Sequence, residues 1–276
     1  MAGFRSLLSL FCAALIASPF LWSTLFPLTW LAPVPWLVAL QGARGWREAL
    51  WVGALTGFIT IALGFHWLVY TIHVFGGVHY AIALVGFTLF AIYSAVPFVA
   101  FAGLIRLCGT GPLGLFPPTF WVTIEFWFPN LFPWSLAASQ TAFTSLSQSA
   151  DLVGQSGTTF ILLWFGTVLY KLLRACRGEG PMQPAAWAAT GVCAILFATL
   201  VYGQVRIDQI TTKAETARKL DVAVVQGNID IERKGKVAFL KTNQQTYKAL
   251  SATHLDADLI IWPESAMENW LPEGAG

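Results

Sequence analysis

The residue whose surroundings best suit chemistry is a glutamate set directly behind a short apolar run. Asp258-Leu-Ile-Ile-Trp262 reads as a buried strand that leads straight into Pro263-Glu264-Ser265. A carboxylate just past the carboxyl end of such a strand lies where open α/β folds place their ligands, and Pro263 stiffens the approach. A site of that kind partly desolvates the carboxylate, which raises its proton affinity toward the range useful to a general base. The same position also suits a helix N-cap or an ordinary surface glutamate, so Glu264 taken alone decides nothing.

The elements that must hold Glu264 are legible on either side of it. Lys219 to Gln226 is a β-branched run expected to form a buried strand, and it ends in the turn-prone pair Gly227-Asn228. Val237 to Thr253 places Phe239, Leu240, Tyr247 and Leu250 at mostly helical spacing. Strand, helix and strand make a β-α-β unit, whose two strands are expected to be parallel neighbours.

Upstream the chain changes character. The whole sequence is 56% hydrophobic and only 11% charged, with a mean hydropathy of +0.64, which is the composition of a membrane protein. Of its 30 charged residues, 11 lie before residue 206 and 19 after 205, so an apolar body (1–205) precedes a polar one (219–276). Roughly seven apolar runs are long enough to cross a bilayer alone or within a bundle. They cover 6–22, 24–41, 48–72, 79–107, 112–128, 152–173 and 185–204. The second and fifth are the weakest, because Pro27, Pro33 and Pro35 interrupt one while Pro112, Pro117 and Pro118 crowd the start of the other. The first also has the outline of a signal peptide, with Arg5, an apolar stretch and Ala17, but Ser18-Pro19 is a poor cleavage context and another apolar run follows at once.

Basic residues in short loops tend to stay in the cytoplasm. With the N-terminus cytoplasmic, Arg5, Arg44, Arg47, Arg106, Lys171, Arg174 and Arg177 all fall inside, whereas the outward loops near 23, 73–79 and 129–150 contain no Lys or Arg. An odd number of spans then delivers the polar body to the outer side, the periplasm of a Gram-negative cell. The outward segments are aromatic: Phe65-His66-Trp67, Tyr70, Phe75, Trp127, Phe128, Phe132 and Trp134. An interfacial belt and a lipid-binding surface both account for them. Glu125 and Asp151 are ionisable residues at or near membrane depth, where such residues often mark function. Asp151, directly before an apolar run, equally suits a helix cap. Cys12, Cys108, Cys176 and Cys193 sit in or beside apolar stretches without a CxxC pair, which favours packing over disulfides or metal ligation. The net charge of +2 is spread among acids and leaves no basic stripe for nucleic acid.

Several segments, in order, resemble the apolipoprotein N-acyltransferases. Val225-Gln226-Gly227-Asn228-Ile229 followed by Leu259-Ile-Ile-Trp262-Pro263-Glu264-Ser265-Ala266 looks like the opening of that family's nitrilase-like domain. Gly64-Phe65-His66-Trp67, Phe75-Gly76-Gly77, Phe132-Pro133-Trp134 and Ala150-Asp151-Leu152-Val153-Gly154-Gln155-Ser156-Gly157 resemble its membrane segments. Soluble nitrilase relatives share a Pro-Glu after the strand but lack the membrane spans.

The resemblance implies a polytopic helical bundle followed by the start of an αββα sandwich, in a multi-pass protein of the bacterial inner membrane that takes part in lipoprotein biosynthesis. It implies an acyltransferase without cofactor or metal. Its donor is a phospholipid such as phosphatidylethanolamine, and its acceptor the α-amino group of a diacylglyceryl-cysteine on an apolipoprotein. In the implied Glu-Lys-Cys triad a cysteine thiolate carries the acyl chain as a thioester, a lysine stabilises the oxyanion, and the base matches Glu264. Trp67, Phe132, Trp134 and Trp262 are the implied substrate contacts.

The family's Lys and Cys lie downstream of the Pro-Glu motif, and the sequence ends at Gly276 before either. The four cysteines present belong to spans or their cytoplasmic edges and do not substitute. The expectation is therefore a truncated copy or one half of a split enzyme, inactive without a complementing C-terminal half. Gly235 stands where the family commonly has Trp, which puts a substrate contact in doubt. A non-catalytic membrane protein that binds lipid or lipoprotein is the alternative. A transporter is disfavoured because the bundle lacks paired mid-span charges, and a nitrilase-type amidase would need the same cysteine.

Overall fold

The computed structural model describes residues 2–230, 233, 234, 236–264 and 266. It divides into two compact units between Ile210 and Thr211, and each is described by itself.

The larger unit is helical. Its elements are α1 (Ala2–Leu21), a 3-10 helix (Ser23–Trp30), α2 (Pro33–Gln41), α3 (Trp46–Gly64), α4 (Trp67–Gly76), α5 (Tyr80–Ser94), α6 (Val96–Cys108) and α7 (Phe116–Trp127). After them come a 3-10 turn (Leu136–Gln140), the short α8 (Thr144–Ser147), α9 (Ala150–Cys176) and α10 (Met182–Thr216), whose residues from Thr211 onward belong to the smaller unit. Some prolines that weaken the apolar runs on paper start helices here: Pro33 opens α2, and Pro117 and Pro118 fill the first turn of α7, as Pro97 does at the start of α6. Proline tolerates those positions because the first-turn amides have no intrahelical acceptor to lose.

Five helical stretches among the described residues are long and apolar enough to cross a membrane: Gly3–Leu21, Ser23–Gln41, Tyr80–Cys108, Ala150–Cys176 and Met182–Thr216. A sixth is reached if α3 and α4, bent by 60°, count as one broken span. The expected seven is thus corrected in two places. The run at 48–72 breaks at Gly64, and the run at 112–128 forms only the 12-residue α7, which at 1.5 Å per residue falls well short of a ~30 Å hydrocarbon core. The last run is longer than expected, since α10 continues past residue 205 to Thr216. Helix α9 carries a break of its own at Gly154, whose φ of 62° only glycine adopts without strain.

The core of this unit is aromatic. Trp36 of α2 stacks on Phe101 of α6 at 4.3 Å, and Trp121 of α7 meets Phe98 edge-on at 4.8 Å. Helices α3 and α6 approach so closely that a Cβ at Gly53 would lie 2.6 Å from the Phe98 carbonyl oxygen, and one at Gly57 would lie 2.8 Å from the Phe98 ring. Two small residues one turn apart let apolar helices meet backbone to backbone, as membrane helices commonly do. Gly57→Leu is accordingly expected to cost about 1–3 kcal/mol through overpacking, read as a lower thermal midpoint of the detergent-purified chain.

The basic residues meet at one end of the bundle. Arg5 of α1 donates to the Gly42 carbonyl at 2.8 Å and pairs with Glu48 at the start of α3, while the Arg44 amide donates to the same carboxylate at 2.7 Å. Lys171, near the end of α9, donates to the Gly111 carbonyl before α7 at 2.8 Å. Asp151 does not cap α9, whose N-cap is Ser149. It accepts instead from Tyr202 at 2.9 Å and Arg206 at 3.0 Å, tying the first turn of α9 to α10. Cys12 is buried as expected, but Cys108, Cys176 and Cys193 face outward from their helices and pack no core.

The smaller unit holds a two-stranded parallel sheet of β1 (Val222–Val224) and β2 (Leu259–Ile261), joined through a 3-10 turn (Val237–Phe239) and α11 (Leu240–Ala252). Val222 pairs with Leu259, Ala223 with Ile260 and Val224 with Ile261, so the expected parallel β-α-β unit is present. Its strands are not buried, however. Val224 is 74% exposed and Leu259 47%, because one helix covers only one face of a two-stranded sheet. On the covered face Val225, Tyr247 and Ala266 form a small core with Ile229, Ile260 and Trp262.

Candidate functional site

Trp67 and Phe132 come together at the end of the bundle opposite the basic one. Trp67 opens α4 just past the break after α3, and Phe132 lies in the segment that follows α7. Their rings sit 6.2 Å apart, each 6.2 Å from Phe65, and Phe90 meets Phe132 edge-on at 5.6 Å. Both Trp67 and Phe132 keep more than a third of their surface exposed. They therefore present an apolar face rather than fill a core. Trp134, two residues along, behaves differently. It turns inward, stacking on Phe98 at 6.2 Å and meeting Phe20 edge-on at 6.1 Å.

A polar layer surrounds Glu125, an ionisable residue that the sequence marks at membrane depth. Near the end of α7 this carboxylate accepts from the Trp121 indole at 2.9 Å, the Leu136 amide at 3.1 Å and the Thr159 hydroxyl at 3.1 Å. Thr159 in turn accepts from the Ala137 amide at 3.1 Å, and Ser135 donates to Gln155 at 2.9 Å. Gln140, fully buried, accepts from the Trp30 indole at 2.7 Å and donates to the Phe26 carbonyl at 3.1 Å. Buried polar groups need partners, and here the partners fasten residues 135–140 to α7, α9 and the first 3-10 helix. The sequence signal for them is faint: single polar residues within apolar stretches.

In the smaller unit, Glu264 follows β2 after Trp262 and Pro263, at a turn in which the Ala266 amide donates to the Pro263 carbonyl at 3.0 Å. The carboxylate is exposed in this unit of two strands and one helix. Trp262 is half-buried. Its indole donates to Ser251 at 2.8 Å and its ring lies 5.4 Å from Tyr247, which makes it part of the small core. Gly227 is explained by the same cluster, since a Cβ there would meet the Tyr247 ring at 2.8 Å. Ser265 of the motif and Gly235 lie outside the described residues.

The comparisons with known proteins agree with this picture. The family described as Apolipoprotein N-acyltransferase N-terminal domain matches residues 11–168, more than half of the chain. An apolipoprotein N-acyltransferase of Pasteurella multocida is 30% identical over 230 residues, covering 80% of this chain and 42% of the relative. Those of Geobacter metallireducens and Vibrio vulnificus are each 28% identical, covering 94% and 95% of this chain and 51% of each relative. The chain thus spans about half the length of these curated relatives, and its matched region takes in both the aromatic end of the bundle and the Glu125 layer. On these matches and this fold, the chain belongs to the apolipoprotein N-acyltransferase family.

Proposed function

We propose that this chain supplies the membrane body and the general base of an apolipoprotein N-acyltransferase. The observation that carries the reading is the family match across the bundle together with Trp262-Pro263-Glu264 placed directly after a parallel β-α-β strand. The smaller unit then reads as the start of a nitrilase-like sandwich. The gathering of Lys and Arg in one set of short loops supports an inner-membrane protein with those loops cytoplasmic, and on that orientation we assign the smaller unit to the periplasm.

In the reaction so assigned, Glu264 takes the proton of a cysteine thiol, because only the thiolate attacks well. The thiolate adds to an ester carbonyl of a phosphatidylethanolamine-like donor, and a lysine ammonium stabilises the resulting oxyanion. Collapse forms the thioester and releases a lysophospholipid, which recovers a proton as its hydroxyl. The α-amine of a diacylglyceryl-cysteine then attacks the thioester, giving the triacylated lipoprotein and returning the thiol. Trp67 and Phe132, exposed side by side on the membrane body, are the surface we assign to the apolar parts of these substrates.

Residues 1–276 hold the base but no residue matching the family's Lys or Cys. The test is an acyl-transfer assay on the purified chain with labelled phospholipid and a diacylated lipopeptide, alone and with a C-terminal half that carries those two residues. The expected result is no thioester from residues 1–276 alone and triacylated product on complementation. Product from residues 1–276 alone overturns the assignment of the nucleophile. Lipid or lipopeptide binding with no product under complementation favours the non-catalytic reading.

A further inference from the structure

We propose that a cleft at the basic end of the bundle binds one anionic glycerophospholipid. This cleft is remote from the aromatic end and does not depend on the acyl-transfer reading. It has a volume of about 400 Å³ and lies between α2 and the last two turns of α9. Val34 and Val38 of α2 and Leu173 of α9 give it an apolar wall, while Arg174, Arg177 and Glu179 form a charged rim. Apolar wall and charged rim together match a molecule with an acyl portion and an ionic head. A free inorganic anion would have no use for the wall.

The charges on the rim do not cancel. Arg174 lies 3.4 Å from the Glu179 carboxylate, donates to the Glu179 carbonyl at 2.9 Å and sits over the Tyr170 ring at 5.9 Å. The one acid on the rim is thereby engaged. Arg5, on the other side of Gly42, is neutralised by Glu48, and Lys171 is directed to the Gly111 carbonyl. Among the described residues the Arg177 guanidinium has no ion-pair or hydrogen-bond partner. It caps α9, a helix long and apolar enough to span, so it stands at headgroup level. A guanidinium there offers a phosphodiester two parallel donors in one plane. The uncompensated charge is positive, which selects a lipid with net negative charge over a zwitterion.

The test is lipid titration of the detergent-purified chain, read by native mass spectrometry, with phosphatidylglycerol, phosphatidylethanolamine, phosphatidylcholine and inorganic phosphate as probes. Phosphatidylglycerol is expected to bind tightest, and Arg177→Gln to weaken it about fivefold, the effect of one cation at headgroup level. Val38→Trp, which fills the wall, is expected to weaken it without changing charge, while Arg106→Gln on α6 leaves binding unchanged. Equal binding of either zwitterionic lipid, competition by inorganic phosphate, or full binding by Arg177→Gln each overturns the proposal.

Discussion

Glu264→Gln is expected to lower thioester formation by about 10²–10⁴-fold when the variant is complemented by a C-terminal half carrying the family's Lys and Cys. The amide keeps the size and the hydrogen-bonding reach of the carboxylate but cannot accept a proton at neutral pH, so the thiol stays protonated and attacks poorly. Glu264 is exposed and sits in a turn after β2, so the exchange should leave the chain's folding intact. An unchanged thermal midpoint beside lost thioester separates a chemical effect from a structural one. Glu264→Asp, which retains a base on a shorter side chain, should recover part of the rate. Thioester formed by Glu264→Gln at the parent rate would assign the proton to another acceptor and remove the Trp-Pro-Glu motif from the chemistry.

The exposure of Glu264 also shows where sequence reasoning reaches its limit. Both strands, their parallel pairing and the helix between them follow from local patterns, since β-branched runs and helical spacing act over a few residues. Burial is different. It depends on which elements cover a sheet face, and β-branched Val224 reads as a core residue yet is three-quarters exposed. Trp262 is the converse, assigned to substrate by resemblance but held by Ser251 and Tyr247, whose positions depend on how α11 lies on the sheet.

In the membrane body the apolar runs mark most of the helices, because crossing a bilayer requires length and composition before it requires packing. The break between Gly64 and Trp67 is invisible to that criterion, since residues on both sides of it are apolar. The close approach of α3 to α6 is written in Gly53 and Gly57, but only the position of Phe98 shows that both glycines face the same neighbour. Trp67 and Phe132 are far apart in sequence and meet because α4 turns away from α3 at that break.

The Glu125 layer was the least legible part and carries the largest expected stability effect. Glu125→Ala should cost about 3–5 kcal/mol, because three donors lose their acceptor together at about 1–3 kcal/mol for each stranded group. All three are well buried: Trp121 is 2% exposed, Leu136 1% and Thr159 0%. Among the described residues Glu125 is in no ion pair, so no cation is left unpaired, and the loss should scale with hydrogen bonds alone. Glu125→Gln tests that scaling. Its carbonyl oxygen can accept from Trp121 and Leu136 together, and its amide can donate to Thr159, so a loss of about 1 kcal/mol is expected. The measurement is thermal unfolding of the detergent-purified chain, with proteolysis at residues 129–140 as a local probe. Greater cleavage there in the alanine variant, below its global midpoint, shows that the carboxylate fastens the segment bearing Phe132 to the bundle. Equal midpoints for the alanine and glutamine variants would show that packing around Trp36, Phe98 and Trp121 holds this segment, with the carboxylate a passenger.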